Sequence, residues 1–140
     1  MIDYEALAKR LADGVEDLEL GKNVMLETMP LSVTKGVIIR SSLSGDPIDY
    51  EIPGLARSHF RLIARSAKFL DAQSLLYEAI EALMIERPVQ VGRMRVRTCR
   101  PISTPVVFPL SDGNLREFMV NMQIIYDFNA QECPWLKTSS

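Results

Sequence analysis

The chain has 140 residues, the size of one ordinary domain. Its 47% apolar and 24% charged residues exclude a disordered tail and a collagen-like fibre. No apolar run approaches the roughly 18 residues that cross a bilayer. The net charge of −2 is divided unevenly. Residues 1–56 carry 5 basic and 10 acidic side chains, residues 57–100 carry 9 and 4, and residues 101–140 carry 2 and 4. Acidic and basic surfaces therefore come from different parts of the chain. That polarity suits nucleic acid, subunits stacking head to tail, or faces that are simply solvated.

The opening residues are rich in charge, with Asp3, Glu5, Lys9, Arg10, Asp13, Glu16, Asp17 and Glu19. They lack the basic start and apolar stretch of a signal peptide, which leads us to expect a cytosol-like compartment. Cys99 and Cys133 are then expected as free thiols. With His59 they are the only Cys and His residues, too few for a four-ligand zinc site.

In chain order, Leu7, Leu11 and Val15 fall at helical spacing, so a helix is expected from about Tyr4 to Leu18, capped by Asp3 and weakened by Gly14. Short strands follow at Asn23–Met29 and Gly36–Ser41. Ser42–Gly54, with two prolines, two glycines and the acids Asp46, Asp49 and Glu51, reads as a protruding connection that extends to about residue 57. His59–Ala67 alternates as a strand, with Phe60, Leu62 and Ala64 on one face and Arg61, Ile63 and Arg65 on the other. A second amphipathic helix is expected from Phe69 to Glu86 and is stopped by Pro88.

The remainder reads as β. Arg93–Arg100 alternates, with Arg93, Arg95, Arg97 and Cys99 on one face. Val106–Leu110 reads as an edge strand, and Ser111–Asn114 as a turn. Leu115–Phe128 is a long strand whose even positions, Phe118 to Phe128, are apolar. Met119 and Ile125 on its other face suggest that this face too is covered, with another subunit as a candidate cover. A short tail begins at about residue 129 and holds Trp135. The economical arrangement is a single α+β domain, a mostly antiparallel sheet with two helices on one face.

Catalytic patterns are missing. The lone His59 reads as a structural or surface residue, and no GxSxG, GxxxxGK[ST] or GxGxxG occurs. Asp46, Asp49 and Glu51 could bind a cation, but they lack the spacing of an EF-hand and read better as solvated loop acids. No catalytic, metal or cofactor-binding residue is therefore assigned.

The arginines are the informative residues. Arg93, Arg95 and Arg97 share one period-two face, and Arg61 and Arg65 share another. If those strands are neighbours, five guanidinium groups form a band for phosphates or for a partner's carboxylates. The alternative is a solvent-facing surface paired within the subunit. The acidic pI of about 5.4 and the shortage of aromatics for base stacking disfavour nucleic-acid reading.

Four stretches, covering residues 1–128, resemble the tail terminator (tail completion) and minor capsid proteins of long-tailed bacteriophages. They are DYEALAKRLADGV, GVIIRSSLSGDPIDYEIPGLARSHFRLIARS, the helix ending ALMIERP, and the arginine strand followed by TPVVFPLSDGNLREFMVNMQIIY. The resemblance implies a structural α+β virion protein with no enzymatic activity and no cofactor. It further implies a hexameric ring that caps the tail tube, meets the head–neck proteins and lets DNA pass through its lumen, with no membrane involved. Synthesis would be in the host cytoplasm and the final place at the head-proximal end of the tail. Arg61, Arg65, Arg93, Arg95, Arg97, Asp46, Asp49 and Glu51 are then candidate subunit or tail-tube contacts. A head–tail connector or stopper subunit is the nearest alternative, and a nucleic-acid-binding or enzyme module a more distant one.

Overall fold

The computed structural model describes residues 2–42, 51–52, 54–108 and 115–128. In chain order the elements are α1 (Tyr4–Gly14), β1 (Val24–Leu26), β2 (Gly36–Ser41), β3 (Leu55–Ser66), α2 (Phe69–Leu83), β4 (Val89–Val91), β5 (Met94–Pro101), β6 (Val106–Val107) and β7 (Arg116–Asp127). The sheet runs β1-β2-β3-β7-β5-β4, and β6 adds a second short pairing to β7. Among the described strands β1 and β2 pair in parallel, and the other strand pairings are antiparallel.

The helices cover one face, as the α+β reading requires. Leu7, Ala8 and Leu11 of α1 and Ala72, Leu75, Leu76, Ala79 and Leu83 of α2 pack on Val37, Ile39, Phe60, Leu62, Ala64 and the even positions of β7 from Phe118 to Tyr126. Each large apolar side chain buried there contributes about 1.5–3 kcal/mol. The sheet curls toward the helices, so that β1 and β4, its two edges, both reach α1.

Several boundaries differ from those expected of the sequence. α1 ends at Gly14, because Val15 is already extended and Asp17 takes a positive φ of 66°. α2 ends at Leu83, because Met84 is extended and Ile85 instead bridges to Cys99. The first strand is reduced to Val24–Leu26, since Glu27 turns away with a φ of 68°. β3 begins at Leu55, where it pairs with Asp127, so residues 55–57 belong to the sheet and not to the connection. Residues 43–50 and 53 of that connection, the 109–114 segment and the tail from residue 129 lie outside the described residues. β4 was not expected. It forms a hairpin with β5 across Gly92-Arg93, made possible by the positive φ of 57° at Gly92.

The face opposite the helices is partly covered by the chain itself. Met29, Ile38 and Ile63 form a second small cluster with Met25, Val33, Phe108 and Met119. Met119 is therefore shielded by the subunit's own residues around Met29 and Phe108, and no second copy is needed to explain it.

Candidate interaction surface

β7 lies between β3 and β5, so the two arginine strands are not neighbours and the five guanidinium groups do not form one continuous band. Each candidate has its own setting. Arg65 is 6% exposed. Its Nε donates to Glu117 Oε2 at 3.1 Å, and one terminal nitrogen donates to the carbonyls of Met29, Pro30 and Val33 at 3.0–3.3 Å. It is an internal clamp that ties the 29–33 segment to the sheet. Arg93 sits in the β4–β5 turn, its Nε 3.7 Å from Asp3 Oδ2, and its backbone N–H donates to the same oxygen. Asp3 is thereby shared between the cap of α1 and this turn.

Arg97 is the extra residue of a β-bulge, since the register passes from Val96↔Tyr126 directly to Thr98↔Ile125. The bulge reverses the alternation beyond it. Cys99 is consequently fully buried in the core, not on the arginine face, and Arg100 takes the outward phase opposite Gln123. The Arg97 Nε lies 3.0 Å from Asp127 Oδ2, in a pair that remains half exposed.

Register then defines the face that is left open. Arg40 stands beside Arg61, and Arg61 beside Asn121. Arg57 stands beside Ile125, Arg100 beside Gln123 and Arg95 beside Asp127. Arg40, Arg57, Arg61, Arg95, Arg97 and Arg100 thus share the outward phase on three strands. Arg40 donates to the Glu27 carbonyl at 3.0 Å. Arg57, Arg61, Arg95 and Arg100 make no ion pair or hydrogen bond through their side chains among the described residues. Arg57 lies before the strand expected from His59, although its two-step spacing to His59 and Arg61 carries the signal. Strict alternation puts Arg100 on the opposite face from Arg97, because a bulge leaves no mark in an alternating sequence. Of the acidic candidates, Glu51 is exposed, while Asp46 and Asp49 lie outside the described residues.

On the helix side, Gly14, Val15, Glu16, Glu78, Glu81 and Ala82 line a groove of about 420 Å³ between the end of α1 and α2. Its polar rim is purely acidic. A second cleft of about 560 Å³ lies between α1 and the β4–β5 turn and is lined in part by Lys9, Arg10, Asp13 and Gln90. Among the described residues, the Arg10 Nε buried there has no hydrogen-bond partner.

The sequence model of the bacteriophage tail terminator protein family matches residues 13–128. The chain belongs to that family. It is thus a structural protein of a phage tail, a virion component that assembles with other virion proteins, and its family is not an enzyme class. The resemblance carried by the four stretches is borne out. The fold is similar to that of a chain in the virion of a native gene transfer agent particle, with a TM-score of 0.63 and 14% identity over 89% of this chain and 96% of that one. No curated protein matches the chain in sequence.

Proposed function

We propose that the protein closes the head-proximal end of the tail as a ring, a hexamer in the simplest form. The ring stops further addition of tube protein, presents a surface to the head–neck proteins, and leaves a lumen through which DNA passes. The observation that supports this reading is a tail terminator domain in which four arginines of one sheet face are unpaired among the described residues. Arginines in that state gain most from planar carboxylates on a neighbouring protein, which they bind through paired, charge-assisted hydrogen bonds. Arg61, Arg95 and Arg97, and Glu51 on the acidic side, remain proposed contacts in this assembly. Asp46 and Asp49 are proposed with them on charge alone.

The test adds purified protein to tubes polymerised from tail-tube protein and images them by negative stain. A ring at one end of each tube, with arrest of elongation, is the expected outcome. Tubes that stay uncapped and keep growing, with the protein monomeric at every salt and protein concentration, would overturn the reading.

A further inference from the structure

We infer that neighbouring copies join front to back: the open arginine face of one copy seats on the acidic α1–α2 groove of the next. The inference rests on the ring reading and specifies its contact.

The two surfaces lie on opposite sides of the same domain. One is the outward phase of β3, β7 and β5, with Arg57, Arg61, Arg95 and Arg100 unpaired among the described residues. The other is the outer surface of the helix layer. There α1 and α2 approach so closely that a Cβ placed on Gly14 would lie 2.9 Å from the Ala82 Cβ. Backbone and small side chains therefore form the groove floor, and Glu16, Glu78 and Glu81 stand as its rim. No ion pair engages these three carboxylates among the described residues. Asp13 and Asp17, both exposed, extend the acidic surface beside them.

Charge complementarity selects a second copy as the occupant. Pairing like faces, as a two-fold dimer would, sets arginines against arginines and carboxylates against carboxylates. Face on groove matches opposite charges, and such a heterologous contact propagates until rotation closes a ring. A nucleic-acid duplex fits less well. Asp127 stands within the arginine face beside Arg95 and Arg97, where it would repel a phosphate, and a duplex leaves the acidic groove unmatched.

The test uses two charge-reversed full-length variants, Arg57→Glu with Arg100→Glu on the face, and Glu78→Arg with Glu81→Arg on the groove. All four side chains are exposed, so circular dichroism should match the wild type. Each variant alone should lose ring formation on tubes and self-association in light scattering by about tenfold or more. Mixed in equal amounts they should assemble again, because each reversed surface then meets its complement. Rings from either variant alone, on tubes that the wild type also caps, would overturn the contact and leave the ring reading standing. Failure of the wild type to cap would remove both. Loss of assembly confined to the face variant, together with loss of a 30-base-pair duplex that the wild type binds, would assign the face to DNA and overturn the inference.

Discussion

Arg65 and Glu117 face each other across β3 and β7, Nε to Oε2 at 3.1 Å, with side chains only 8% and 15% exposed. The pair anchors the chain that covers this end of the open face, because the same guanidinium also holds the carbonyls of Met29, Pro30 and Val33. Arg65→Ala strips partners from a buried carboxylate and three carbonyls at once, and should cost about 3–5 kcal/mol. Arg97→Ala removes a half-exposed pair and should cost about 0–1 kcal/mol. Urea midpoints of the two variants check the contrast. Equal midpoints would mean that Arg65 is not an internal clamp.

Glu27 should show acid titration below the ordinary range. The hydroxyl and the backbone N–H of Ser41 both donate to Glu27 Oε1, and these bonds hold the carboxyl below its usual value of 4.5, with Arg40 and Arg61 assisting and slight burial opposing. A lowered folded-state pKa means a stabilising contribution that is full above about pH 4.5 and fades as the pH falls through the lower folded value. Carboxyl NMR should place the midpoint below 4.5, and Ser41→Ala should move it up toward 4.5. An unchanged midpoint in that variant would exclude Ser41 as the cause.

Cys99 should resist alkylation in the folded protein. Burial pushes its thiol up to about 12, against a smaller opposing pull from Arg10, so almost no thiolate exists at pH 8. Peptide mapping after iodoacetamide treatment should find Cys99 unmodified in buffer and modified in denaturant. Rapid native labelling would show that the Ile85–Cys99 bridge opens readily.

Gly14→Ala tests whether the close approach of the helices outweighs helix propensity. Alanine should gain up to about 1 kcal/mol in the helix, but its methyl carbon would lie 2.9 Å from the Ala82 Cβ, and overpacking of that kind costs about 1–3 kcal/mol. A net loss of thermal stability is expected, and it should shrink when Ala82→Gly is added. A stabilised single variant would mean that the helices separate freely.

Local periodicity marks which side of each long element is apolar. Leu7 with Leu11 marked the inner face of α1, and the even positions of β7 marked the longest core strand, because helical and strand periods are written locally. The same alternation correctly turned Arg61, Arg95 and Arg97 away from the core. What surrounds those arginines came from the folded chain. Long-range pairing inserted β7 between β3 and β5, a bulge at Arg97 exchanged the faces of Cys99 and Arg100, and the 29–33 segment folded over Arg65 and took it out of the outer surface. Neighbouring strands, bulges and covering segments are chosen by hydrogen bonds between residues distant in sequence. A local period carries no record of them.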